Sequence, residues 1–452
     1  MRVLPPRCFC GSFTEEHYMS KPEKLEAWIA LSLALGSRSA RLKPLLEHFG
    51  TPERIFAATE QELRAVLPNL GAGALSALKY EKHEREVRRI LQYCSRAGVA
   101  VLTPDAEGYP LALFAISEPP PVLYCLGKLP TPGKQPFVGV VGTRKMDAYG
   151  ERVAYKLSFE LAAAGAVVVS GLADGIDGVA AAAALDAGMP TIGVLGCGID
   201  RVYPKHHKHL FSEVAEFGAL VTEFAPGTPP NGRNFPIRNR IISALSEAVV
   251  VVEGDPISGA LITARYALLQ GKALFAVPGD VDCLRSKGCN LLLRAGANIA
   301  LSAEDILAHF RFLYRDTMKL TPPDEAMQYV GVTPEKLRAH GVRTVSNKEA
   351  CVKENTVKQR VGRKSREEKV EALSAKEGEL HESAPSPEAL HTLSPAERGI
   401  YESLPDTPFT IDLLVGAGIA AKDAVAAMTL FEILGIVSSM PGGTYQKKSF
   451  DA

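Results

Sequence analysis

The sequence predicts an α/β protein: an extended Rossmann-like parallel-sheet core with a helical N-terminal domain and a C-terminal winged helix-turn-helix. Three observations carry this. From 137 to about 310, six apolar runs ("FVGVVG", "AVVVSG", "PTIGVLG", "ALVTEF", "AVVVVEG", "ALFAVPG") alternate with helical stretches such as "ERVAYKLSFELAAAG" and "GVAAAAALDAG". Strands that are apolar throughout and separated by helices form parallel sheets covered on both faces, which bind ligands beyond the carboxyl ends of their strands. Ahead of them, "LEAWIALSLALG" and "RLKPLLEHFGTPERIFAATEQELRAVL" place apolar residues at helical spacing. Behind them, the chain reads helix, short helix, glycine turn, longer helix and glycine-bearing hairpin, the order of a winged helix.

In chain order, residues 1–21 are expected to be irregular. They carry basic charge without the apolar stretch of a secretory signal, and Met19 is an alternative start. Cys8, Cys10 and His17 are too sparse a set to argue for a metal. Residues 22–103 form the helical domain. In "HFGTPERI", Gly50 is placed to stop one helix and Thr51-Pro52 to start the next, as in helical hairpins that sit on DNA backbones or in a plain packing module. Residues 104–314 form the core, entered through the proline-rich passage "EPPPVLYCLGKLPTPG". Residues 315–393 change character: 336–369 hold eleven Lys/Arg against four Glu, and a Ser-, Pro- and Glu-bearing stretch follows. That composition predicts a flexible charged linker, either a solubilising tether or a nucleic-acid tail. Residues 394–452 open on "SPAE", a capping box with proline at the first helical position. Three basic against six acidic residues over 394–447 disfavour a major-groove reader, so a protein contact is expected of this wing.

Composition bounds the function. The chain of 452 residues is formally neutral, so any basic surface is local. Eight scattered cysteines without a CxxC pair fit a reducing cytoplasm. No apolar run approaches the ~18 residues of a spanning helix, so no membrane is expected.

"FVGVVGTRKMDAYG" (137–150) has the shape of a phosphate-binding strand, turn and helix, yet neither GxGxxG nor GxxxxGK[ST] is present. A dinucleotide site also wants an acid at the end of the second strand, where Ser170 and Gly171 stand; Asp174 and Asp177 follow at the next helix start, where they suit its dipole. Instead, donors line successive strand ends. The N–H groups of Gly142–Thr143 and of Ser170–Gly171–Leu172 are expected to form two anion nests, with Arg144 adding a charged fork. Arg201, Lys205 and Lys208 follow the third strand. Arg233, Asn234, Phe235, Arg238, Asn239 and Arg240 follow the fourth, and Ser258, Gly259 and Thr263 the fifth. A row of phosphate sites with an aromatic among them suits a single strand of nucleotides, phosphates in the nests and a base stacked on Phe235. Residues 137–310 carry 15 basic and 17 acidic groups, so this requires the cations to gather on one edge. Arg238 and Arg240 have an alternative, pairing inside the fold with Glu223 and Glu253. "HHKH" (206–209) reads as solvated side chains, so no metal site is expected. Ser170 and Ser258 lack a His–Asp partnership, so no catalytic residues are assigned.

"VVGTRK", "VVVSGLADGID", "TIGVLGCGIDRVYP", "NFPIRNRIISALSEAVVVVE", "SGALITA" and "FAVPG" together resemble the DNA-processing protein A family, DprA or Smf. The resemblance implies a cytoplasmic, non-catalytic, homodimeric protein without a cofactor. Such a protein binds single-stranded DNA and loads the RecA recombinase onto incoming DNA in natural transformation. It implies DNA contacts at Gly142, Thr143, Arg144, Ser170, Gly171, Leu172, Lys205, Phe235, Arg238, Asn239 and Arg240. Departures are Ala181 where many members have His, Asp174 where many have a basic or neutral residue, and Ile237 where Arg is frequent. An enzyme of the LOG phosphoribohydrolase type is the alternative, but the PGGxGTxxE-like stretch with its catalytic glutamate is replaced here by "EGDPISGALITA" and "AVPGD". A transcription regulator acting through the wing is a third reading, set against that wing's acidity.

Overall fold

The computed structural model describes residues 23–37, 40–315, 317–318, 333–345, 393, 395–419, 424, 427–428, 431, 436–440 and 444–448. The cysteines and histidine of the first segment, and most of the presumed recognition helix with Lys422, Asp423 and Glu432, lie outside the described residues. The chain divides into two compact units between Gln92 and Tyr93.

The first unit is helical: α1 (Lys24–Leu35), α2 (Leu42–Phe49), α3 (Pro52–Ala57), α4 (Glu60–Val66) and α5 (Ala72–Ala77), with α6 (Glu84–Ala97) leading out of it. The predicted punctuation is in place. Gly50 ends α2 at φ +78°, a left-handed conformation that costs a residue with a Cβ, and Thr51 accepts from the Arg54 N–H at the start of α3. Thr59 and Glu62 cap α4 reciprocally. Trp28, Ile29, Leu31, Leu42, Leu45 and Ile55 are buried in this unit.

The second unit is built on a nine-stranded sheet in the order β1-β2-β6-β5-β4-β3-β7-β8-β9. Its strands are β1 (Ala100–Leu102), β2 (Leu123–Gly127), β3 (Phe137–Val141), β4 (Val167–Ser170), β5 (Thr191–Val194), β6 (Ala219–Thr222), β7 (Ala248–Val251), β8 (Ala273–Ala276) and β9 (Asn298–Ile299). The six predicted runs are β3 to β8, all parallel. The proline-rich passage holds an unforeseen strand: β2 pairs antiparallel with β6, and β1 with β2.

The helices are α7 (Leu111–Ala115), α8 (Ala148–Ala163), α9 (Ile176–Asp186), α10 (Lys208–Phe217), α11 (Asn234–Leu245), α12 (Gly259–Leu269), α13 (Leu284–Arg294) and α14 (Ala303–Phe310). Alternate strand residues Val167, Val169, Ile192, Val194, Val249 and Val251 pack with Ile241, Ile242, Ala260 and Ala264 of α11 and α12. Val138, Val140, Val168 and Val250 alternate with them and are buried on the opposite face. The chain leaves β3 for β4 and later returns to β3's other side at β7. This makes the carboxyl ends of β3, β4 and β7 the topological switch region where open α/β sheets take ligands. Among the described residues, no helix is long and apolar enough to cross a membrane.

The expected flexible linker needs one correction. Within 315–393, residues 333–345 form a helix, Pro334–Ala339, and a strap seated on the core. Leu337 and Val342 are buried, and Glu151 accepts from the Val345 N–H at 2.7 Å. His340 lies between two carboxylates, Nδ1 2.7 Å from Glu213 and Nε2 3.0 Å from Asp186, so both ring nitrogens donate. Short apolar spacing inside a charge-rich stretch concealed this element from a compositional reading.

The strap makes stability pH-dependent. The hydrogen bond to Asp186 raises His340 to about 9, against burial, with Glu213 assisting. Burial, then the neighbouring Asp147, raises Glu253 to about 8. Unfolded His and Glu titrate near ~6.5 and ~4.3. Both groups therefore bind protons more tightly in the folded chain, and stability is lost as pH rises through about 8 and about 9. Denaturant midpoints are expected to fall between pH 6.5 and 9.5, and less so in His340→Gln. A profile that His340→Gln leaves unchanged contradicts the ion-paired strap.

Residues 393–448 carry a three-stranded antiparallel sheet in the order β10-β12-β11, from β10 (Phe409–Thr410), β11 (Val437–Met440) and β12 (Thr444–Lys447). Tyr401, Leu404, Phe409, Leu414, Met428, Phe431 and Ile436 form its core.

Candidate nucleic-acid interface

The predicted site residues separate by burial into an internal network and an exposed edge. In the first anion nest, the Thr143 N–H donates to the Glu253 carbonyl at 2.7 Å. Asp177, expected to do no more than suit a helix dipole, reaches back from the first turn of α9 so that its carboxylate stands beside the Gly142 and Gly171 amides, close to the place predicted for a phosphate. Burial raises its carboxyl above the ordinary aspartate range, opposed by Arg238, Arg144 and the two N–H groups. A Cβ on Gly171 would lie 2.5 Å from the Arg238 guanidinium nitrogens and from Asp177 Oδ2, so glycine here makes room for protein groups.

The predicted arginines on α11 are corrected in the same way. Arg238 is buried and donates to the carbonyls of Gly171 and Val194 and to Asn239 Oδ1. Arg240 is buried and makes a two-pronged bond to Glu223, both oxygens at 2.7 Å. Asn239 donates to the Gly259 carbonyl. Ser170 donates to the Val140 carbonyl, and Leu172 and Thr263 are buried. Ser258 caps α12 through the Ala260 N–H, and Gly259 beside it is exposed. These side chains order the strand ends; Arg238, Arg240, Ser170, Leu172 and Thr263 are not on the surface.

The acids of the switch region are likewise structural. Asp147 caps α8 by accepting from Tyr149 and Gly150, and Glu253 accepts from the Asp147 N–H at 3.2 Å. Both are buried, out of a substrate's reach.

Arg144, Lys145 and Lys205 remain exposed, with Phe235 half-buried. The Arg144 guanidinium lies 5.0 Å from the Phe235 ring centroid, within cation–π range, and buried Arg238 lies 5.9 Å away on the same ring. The Tyr203 ring stands 5.2 Å from Phe235, tilted by 39°. Gly196 seats Phe235: a Cβ there would come within 2.7 Å of Cδ1. Tyr203, which sequence reasoning missed, was signalled by its place two residues before Lys205. The result is a two-ring aromatic platform with an arginine across it and a lysine beside it, at the carboxyl edge of the sheet.

Residues 100–311 match the family model described as DNA recombination-mediator protein A. The protein Smf of Synechocystis sp. is 32% identical over 429 residues, covering 93% of this chain and 98% of that protein. The DNA processing protein DprA of Bacillus subtilis is 41% identical over 233 residues, 51% of this chain and 78% of that protein. The X-ray structure of DprA from Streptococcus pneumoniae aligns with a TM-score of 0.56 at 29% identity, covering 64% of this chain and 98% of that one. With nearly its whole length shared with one relative, and with this order of motifs on this sheet, the chain belongs to the DprA/Smf family of DNA recombination mediators.

Proposed function

We propose that the protein binds single-stranded DNA along this edge and, as a cytoplasmic homodimer, loads a RecA recombinase onto it without chemistry of its own. The aromatic platform beneath Arg144 is the observation that supports the reading. A base has a π-face that stacks on Phe235 and Tyr203 whatever its identity, while Arg144, Lys145 and Lys205 meet the flanking phosphates. The internal seat argues for the same ligand by exclusion. Asp177 stands beside the Gly142 and Gly171 amides, near where a mononucleotide's phosphate would sit, which argues against the rival phosphoribohydrolase reading. Contacts at Gly142, Thr143, Gly171 and Asn239 then act by shaping the edge, and Gly259 and Ser258 extend it. The C-terminal unit, read as a winged helix, is assigned a protein contact because of its acidity.

Phe235→Ala is expected to weaken binding of a fluorescent oligo-dT by ~1–3 kcal/mol, roughly 5- to 150-fold, with the variant's melting temperature showing that the chain still folds. Equal affinity for variant and parent removes the stacking claim. Release of free base from a nucleoside monophosphate by the purified protein would favour the hydrolase instead.

A further inference from the structure

"HHKH" does not behave as a run of solvated side chains. His207 is fully buried, and its Nδ1 lies 3.1 Å from the Leu172 carbonyl. A carbonyl only accepts, so Nδ1 carries the proton and the Nε2 lone pair is bare. Among the described residues, Nε2 has no hydrogen-bond partner. Gly178 packs close beside this ring: a Cβ there would stand 2.8 Å from Cε1 and 3.3 Å from Nε2. Next to it, His206 Nε2 lies 2.7 Å from Asp174 Oδ1, and one ligating atom from each of Asp174, His206 and His207 lies within 4.8 Å of the others. The strap covers this turn from outside, with Gly341 packed so closely that a Cβ would meet the His206 carbonyl at 2.6 Å.

A neutral imidazole whose Nδ1–H is held by a backbone carbonyl is the state in which metal-binding histidines are found, with tautomer and ring orientation fixed in advance. An orphaned buried nitrogen otherwise carries the uncompensated cost of leaving water. The neighbouring cluster of His209, Glu213 and His340 differs, because both nitrogens of His340 already donate to carboxylates.

We propose that Asp174, His206 and His207 form a binding site for one divalent transition-metal ion, zinc by ligand type. Two imidazoles and a carboxylate leave a fourth position for water. The ion ties the turn after β4 to the turn before α10. Those turns carry Leu172 and Lys205, yet the site stands whether or not DNA binds at the edge.

The test is equilibrium dialysis of the full, chelator-stripped chain against zinc chloride, with bound metal read by elemental analysis and melting temperatures measured with and without zinc. The parent is expected to retain one equivalent more than Asp174→Asn or His206→Gln, each weakening that equivalent at least about tenfold. Zinc should raise the parent's melting temperature more than theirs, because an ion bound by the folded chain stabilises it. His209→Gln, outside the ligand set, should retain the parent's stoichiometry. Metal-free melting temperatures of these half-buried or exposed variants show that they fold. Equal zinc retention by parent, Asp174→Asn and His206→Gln, or none by the parent, overturns the proposal.

Discussion

Arg240→Met is expected to destabilise the protein by about 3–5 kcal/mol, because it leaves the Glu223 carboxyl buried and without its partner. The pair is sealed between the end of β6 and α11, with side chains 2% and 3% exposed, so water cannot take over as partner. For a unit of this size that loss corresponds to roughly 6–20 °C in melting temperature. The double variant Arg240→Met with Glu223→Leu should recover most of it, since replacing a whole buried pair with apolar groups is often near neutral. Thermal denaturation of parent, single and double variants decides this. A single variant as stable as the parent would contradict the assignment of Arg240 to the core, and would reopen it as a DNA contact.

Asp177→Ala carries the second large expected effect. It removes the carboxylate beside the Gly142 and Gly171 amides, the acidic neighbour of buried Arg238. Leaving that guanidinium uncompensated is expected to cost about 3–5 kcal/mol, seen as a lowered denaturant midpoint. The vacated seat then offers two backbone donors and two arginines to an outside anion. Phosphate or sulfate at millimolar concentration should therefore restore part of the lost stability in the variant, and not in the parent. If the anion stabilises the parent equally, the seat is open in the native chain and the mononucleotide reading regains its site.

The sheet was legible because its central strands are apolar on both faces, a pattern that no surface element shares. β1 and β9 were not, being short edge strands without that pattern, and neither was β2, an antiparallel strand wrapped in prolines. The site was legible in part. "GTRK" and Phe235 lie where strand-to-helix turns put them, and Arg144 is exposed as expected. Arg238 and Arg240 were misplaced because a charged residue on a helix reads as solvated until its partners are known. Those partners, the Gly171 and Val194 carbonyls and Glu223, lie at least 17 residues away in sequence. Asp177 closes the nest from the following helix, which spacing alone does not reveal. His207 was missed for the same reason: its burial depends on the turn after β4 and on the strap.

The salt dependence of oligo-dT affinity tests the central claim most directly. For a strand held by its phosphates, log affinity falls linearly with log salt, by ~0.7 per phosphate contacted. Arg144→Ala is expected to flatten that slope by ~0.7 and to lower affinity at low salt, while leaving the melting temperature unchanged. A parent slope near zero, or a slope that Arg144→Ala leaves intact, would contradict a nucleic-acid edge at Arg144 and Phe235.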